Sequence, residues 1–304
     1  MEEETDIFRR PVWVSVFATT AAIAWGWAYP LIKLGFAEFA ITPEMTGSKM
    51  VFAGVRFCFA GLVILALALR QKRSFAVSKS GDWWFILVFT MLNTTLHYAF
   101  FYFGLSHSVG ARAAILNSLG VFAVVIFACV FFPSDRFNVH KVVGCIVGFT
   151  GIMALNMGSE QSGRFTWQGD GFIILNALCS ASASLLTRGL GKRVDIYSGT
   201  GYSLSFGGLM LLVTGLAIGG TLPRVTVVGL VYLLLLIAIS ALGFALYNRL
   251  IMCNPIGKVA IYNSFIPVVG AVTSCVCLHE TFYWKYLVAA TLATVGIYLV
   301  NMKR

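Results

Sequence analysis

At 304 residues, 59% hydrophobic and 11% charged, with a mean hydropathy of +0.85, the chain is far too apolar for a water-soluble globular domain. Uncharged stretches long enough to cross a bilayer recur along these residues, and the longest polar stretches run to about a dozen residues, so none of them is expected to form a soluble domain. The net charge of +10 is a sidedness signal in such a chain and gives no ground for a nucleic-acid partner.

Helix one, at 11–32, is too long for a signal-peptide core and lacks a small-residue cleavage site, so it is expected to be retained. Trp25, Tyr29 and Lys33 lie four apart on one face of it, and Pro30 is expected to interrupt it. Helix two, about 47–70, carries Arg56 several residues inside the apolar stretch. A guanidinium at mid-span costs about 2.5–3.5 kcal/mol on insertion scales, which demands partners or water. It either supports the fold or contacts an anionic solute.

A basic loop, Gln71–Gly81, leads into helix three at 83–111, where Asn93 and His97 sit one turn apart with Tyr98 and Tyr102 nearby. His97 is the one histidine deep in a span, a candidate for substrate contact, for proton relay, or for a hydrogen-bonded structural role. Helix four, 113–134, holds Asn117-Ser118, with Arg112 at its entry expected to snorkel to the interface. In helix five, 141–157, Gly144 and Gly148 form a small-xxx-small pair that serves either packing inside the monomer or a homodimer contact.

After the linker Gly158–Gly169, helix six at 170–190 brings Asn176, Ser180, Ser184 and Arg188. Aligned with helix one, this face sets a hydrogen-bonding wall against the aromatic wall of Trp25 and Tyr29; the plain alternative is tight packing of serine and alanine. Helices seven (196–223) and eight (225–248) follow, with Tyr247 and Asn248 near the end of the latter. Helix nine, 254–278, carries Lys258, Tyr262, Asn263-Ser264 and Pro267; the proline is expected to kink it, with Val121 at the matching place in the first half. Helix ten, 284–302, completes the set.

The second half echoes the first. Arg112-Ala113-Ala114-Ile115-Leu116-Asn117-Ser118 returns as Lys258-Val259-Ala260-Ile261-Tyr262-Asn263-Ser264, and Gly151–Asn156 returns as Gly296–Asn301, at offsets of 146 and 145 residues. Five helices per half is an odd number, so the second copy is upside down: an all-α membrane protein of two inverted five-helix repeats, 1–157 and 158–304. Inverted repeats are characteristic of secondary transporters, with a substrate site near mid-membrane between the halves. With the N-terminus inside, fifteen Lys and Arg fall on inner segments and six on outer ones, which predicts both termini in the cytoplasm.

The residues now described resemble the drug/metabolite transporter superfamily of EamA type across the whole chain. The matching pieces are Trp25-Gly26 with Lys33, Arg56-Phe57 with Ala60-Gly61, Asn254–Gly257, Pro267 and Glu280-Thr281-Phe282. The resemblance implies an inner-membrane carrier, often an exporter of amino acids or related metabolites, working by alternating access. It departs at Ile266, where many relatives carry a glutamate, so carboxylate-based coupling is not implied.

All twelve Asp and Glu lie in termini, loops or helix ends, which disfavours a cationic substrate. The expected solute is a small neutral or zwitterionic metabolite held by Trp25, Tyr29, Asn93, His97, Asn117, Ser118, Asn176, Ser180, Tyr262 and Asn263. The alternative is an organic-anion or phosphorylated-metabolite exchanger using Arg56, Lys258, Arg188 or Lys33 as clamps. No cofactor or metal is expected: the seven cysteines are scattered without ligand spacing. An enzyme is not expected either, because no activating acid or oxyanion-type glycine loop accompanies His97 and Ser118.

Overall fold

The computed structural model describes residues 7–131, 138–154, 165–254, 259 and 261–301. Ten helical segments follow one another among the described residues. They are α1 (Pro11–Glu38), α2 (Thr46–Arg70), α3 (Asp82–Ser106), α4 (Gly110–Phe131), α5 (Val139–Ala154), α6 (Trp167–Gly191), α7 (Ile196–Ala217), α8 (Val227–Cys253), α9 (Phe265–Cys277) and α10 (Trp284–Asn301). Seven of them are long and apolar enough to cross a membrane, and α5, α9 and α10 are shorter apolar helices. Their outward faces are as apolar as their inward ones: α8 exposes Leu230, Val231, Leu234 and Leu235. Such a surface is stable only in hydrocarbon.

The chain differs from its expected elements in several places, helix one running on to Glu38 and helix seven stopping at Ala217 among them. Helix three ends at Ser106, and a new helix begins at Gly110, because the backbone leaves helical geometry at His107–Val109. Pro30 lies within an unbroken α1. Pro267 is the third residue of α9, behind a 3₁₀ turn at Ile261–Ser264, so its missing N–H falls where a helix start has no intrahelical acceptor anyway. The break therefore lies before the proline.

That break has a counterpart. α4 is interrupted at Ser118, between helical stretches Gly110–Asn117 and Leu119–Phe131. Both Asn-Ser pairs thus sit at helix interruptions, a single turn residue at Ser118 and a 3₁₀ turn at Ile261–Ser264. Interrupted helices at membrane depth are tolerated where they line a polar cavity or are buried in protein.

The packing follows the repeat. α1 lies against α8 and α9, and its mate α6 lies against α3 and α4, the mates of those two; α2 packs on α7 and α5 on α10. Mates cross antiparallel. Gly54 and Gly61 recur 147 residues later as Gly201 and Gly208, with Gly54 meeting Gly208 and Gly61 meeting Gly201. Likewise Gly151 faces Leu292, while Gly144 and Gly148 face Gly296. This is the geometry of an inverted repeat. It also assigns the small-xxx-small pair of α5 to a contact inside the monomer. The boundary at 157/158 lies outside the described residues.

Candidate functional site

Small residues on α1 (Ala18, Ala21, Ala22, Gly26) let α8 and α9 approach closely, and this brings the aromatic rings of three helices together. Trp25 lies 5.6 Å from Phe244 and 5.1 Å from Tyr247, centroid to centroid, on α8. Tyr98 of α3 bridges Phe244 at 6.4 Å and Phe101 at 6.1 Å, and Phe101 meets Tyr29 edge-on at 5.4 Å. Trp25 and Tyr29 of α1 thus pack into a strip whose other rings come from α3 and α8, and α6, expected as a hydrogen-bonding wall, meets it through Asn176.

Polar groups meet this wall at both helix breaks. In α4, the Asn117 Oδ1 accepts from the Asn176 Nδ2 of α6 at 2.6 Å, beside the Tyr29 ring. In the second half, the Asn263 Nδ2 donates to the Tyr247 hydroxyl at 2.8 Å. The two symmetry-related asparagines therefore stand at opposite ends of one aromatic strip, Asn117 by Tyr29 and Asn263 by the Tyr247–Trp25 pair. Among the described residues, three buried polar atoms along it have no hydrogen-bond partner, Trp25 Nε1, His97 Nδ1 and Asn176 Oδ1, while the Tyr29 hydroxyl faces the Asn117 amide. Each such atom costs roughly 1–3 kcal/mol, a cost recovered by any solute that bonds it.

His97 lies against Tyr98, ring centroids 4.3 Å apart and tilted by 40°, and its Nδ1 is buried with no hydrogen-bond partner among the described residues. Other sequence candidates lie apart. Asn93 sits in a π-helical turn, Met91–Thr95, and its Nδ2 donates to Ser203 of α7 at 3.2 Å and to Thr94 at 3.3 Å. The Ser118 hydroxyl donates to its own helix, at the Ile115 carbonyl, 2.6 Å away. Ser180 is half-buried without a side-chain hydrogen bond, and Tyr262 bonds Ser15 near the start of α1.

The cations separate sharply. Lys33 pairs with Glu280 at 3.1 Å, and that carboxylate also accepts from the backbone N–H of Gly110 at 2.9 Å and of Ala111 at 3.2 Å. Glu280 thus caps the start of α4, where a negative charge complements the helix dipole, and Lys33 is spoken for. Arg188 is exposed and donates to the Asn254 carbonyl at 3.3 Å. Lys258 lies outside the described residues.

Arg112 does not snorkel. It is buried and grips Asp170 of α6 with two hydrogen bonds, 2.8 Å and 2.7 Å, and each side chain is under 5% exposed. Asp170 had only its place at a helix start to recommend it. Arg56, 2% exposed, donates to Tyr102 OH at 2.8 Å, Ser240 Oγ at 2.8 Å and the Leu236 carbonyl at 3.2 Å. All three acceptors are neutral. Ser240 was missed in the sequence because a lone serine in an apolar helix carries no signal.

A model of the EamA-like transporter family matches the chain twice, over residues 12–157 and 167–302. The uncharacterized transporter YvbV of Bacillus subtilis is 28% identical over 290 residues, 92% of this chain and 89% of its own length. A WAT1-related chloroplastic protein of Arabidopsis thaliana is 26% identical over 84% of this chain, which spans 63% of that protein. A probable amino-acid metabolite efflux pump of Salmonella typhimurium is 21% identical over 93% of this chain and 92% of its own. A solved crystal structure, 15% identical, shares the fold with a TM-score of 0.68, covering 94% of this chain and 95% of its own. Matched by the family model from near one end to the other, this chain belongs to the EamA-like transporter family and is a multi-pass membrane transporter of the drug/metabolite type.

Proposed function

We propose that the protein is a secondary carrier for small neutral or zwitterionic metabolites, amino acids first, exporting them across the inner membrane by alternating access. The single observation behind this reading is the aromatic strip from Tyr29 to Tyr247 with its unpartnered polar atoms. Its rings suit an apolar side chain. Its ends offer amides at two inversion-related helix breaks, groups that bond an amino or a carboxylate group without a fixed charge.

Antiparallel mates support the alternation, because a site on the pseudo-twofold axis presents similar walls to both faces. Both termini are read as cytoplasmic from the Lys and Arg asymmetry. The similarity to a protein named as an amino-acid metabolite efflux pump supports export, and transport rather than catalysis. An organic-anion exchanger draws less support, since Lys33 is bound to Glu280, Arg56 already bonds three neutral acceptors and Arg188 is exposed and bonds the Asn254 carbonyl.

Asn117→Ala and Asn263→Ala are expected to reduce neutral amino-acid export from cells by tenfold or more, on the order of 1.4 kcal/mol per decade, at unchanged membrane abundance. Export at the wild-type rate in both variants would remove the two amides from the site.

A further inference from the structure

Among the described residues, two cations on α2 are buried without an ion-paired acid. Lys49, 1% exposed, donates to the Pro43 carbonyl at 2.6 Å and to Ser106 Oγ at 2.9 Å, and its ammonium stands 4.5 Å over the Phe103 ring. An ammonium has three donors, so one is left over. Arg56, two turns further along the same helix, bonds only neutral oxygens, as described above. Glu44, exposed at the bend before α2, attracts Lys49 from solvent but forms no ion pair with it.

A small cavity separates α2 from α3, lined among others by Thr46, Lys49, Tyr98, Tyr102 and Phe103. Its volume is about 10 Å³, room for the centre of one water-sized particle. The Tyr102 oxygen already accepts from Arg56, so its own proton must point elsewhere, and no acceptor meets it. Tyr102 is 1% exposed. Lys49 and Tyr102 both line this cavity, and among the described residues neither the third ammonium hydrogen nor the phenol proton meets an oxygen or nitrogen acceptor, while the Arg56 guanidinium bonds the phenol oxygen.

Two buried positive charges and a surplus of donors are poorly served by a water molecule, which needs acceptors as well. A buried charge left uncompensated in the hydrocarbon region is costly. From this we infer that the cavity between Lys49 and Tyr102 is a binding site for one small monovalent anion, which neutralises α2 and fixes it against α3. The site shares the Tyr98 ring with the aromatic strip, but the charge balance it serves does not depend on which solute that strip carries. A halide and the carboxylate of a small acid present the same single charge and differ in size.

The test is thermal unfolding of the purified protein in sodium gluconate, with chloride or formate exchanged in at constant ionic strength. Chloride is expected to raise Tm saturably by a few degrees, as a ligand that binds the folded state does. Tyr102→Phe, which keeps the ring and removes the donor, and Lys49→Met are each expected to abolish that rise. Chloride alone raising Tm identifies a halide site; chloride and formate acting alike identify a carboxylate-accepting one. An unchanged Tm in all three salts, or a wild-type chloride response in Tyr102→Phe, would overturn the inference.

Discussion

Replacing Asp170 with Asn is expected to destabilise the protein by roughly 3–5 kcal/mol, the range for removing one partner of a buried ion pair. The magnitude follows from what stays behind. Arg112 is locked in a bidentate bond to Asp170, with both side chains under 5% exposed, so the amide leaves a guanidinium in low dielectric facing a neutral group. Asp170 also accepts from the Thr166 N–H at 3.2 Å, which ties the first turn of α6 to its own entry. A thermal melt of the detergent-purified variant measures the loss. The double variant Arg112→Met/Asp170→Leu is expected to recover most of it, because two charges then leave together. Asp170→Asn melting with the wild type would mean that the pair contributes nothing to holding α4 on α6.

Gly54→Ala is the second large effect. An added Cβ would lie 2.5 Å from the Leu212 nitrogen and 2.7 Å from its Cα, both backbone atoms of α7 that have nowhere to go. Alanine gains up to about 1 kcal/mol of helix propensity over glycine. Forcing two helices apart along their whole crossing outweighs that, since overpacking alone costs about 1–3 kcal/mol. Helix association in lipid rests on close packing with no hydrophobic drive to replace it, and Arg56 sits between Gly54 and Gly61 on the same helix. Displacing α2 also shifts Arg56 relative to Ser240 of α8 and Tyr102 of α3, which its bonds must follow. Loss of the monodisperse peak in size-exclusion chromatography is the expected readout. Gly81→Ala, where nothing lies within 4 Å of the new atom, is the matched control and should behave as wild type.

The fold was legible because bilayer physics writes it in one dimension. Span length, Lys and Arg placement and the Arg112–Ser118 echo at Lys258–Ser264 all survive without three-dimensional knowledge. The helix breaks were half legible: Pro267 drew attention to α9, but the same interruption at Ser118 has no proline to advertise it. Side-chain partners were the hidden part. Asp170 and Glu280 read as harmless helix-end acids, and only the fold brings them to Arg112 and Lys33. The candidate site divides in the same way. Trp25, Tyr29, Asn117, Asn176 and Asn263 could be picked out as polar or aromatic groups at helical spacing. Asn93 and Ser118 had the same credentials, yet a π-helical turn and a local hydrogen bond direct them to α7 and to the α4 backbone. Phe101 and Phe244 complete the strip from α3 and α8, and phenylalanine in an apolar helix gives no sign of which neighbour it will meet.

The central claim is that the strip between Tyr29 and Tyr247 carries a solute across the membrane by alternating its access. Counterflow in proteoliposomes tests it most directly. Vesicles loaded with an unlabelled neutral amino acid should take up the labelled one faster than empty vesicles, with uptake saturating as its concentration rises and abolished by Tyr29→Ala. Uptake that rises linearly with concentration and ignores the internal amino acid would contradict a carrier and point instead to a pore.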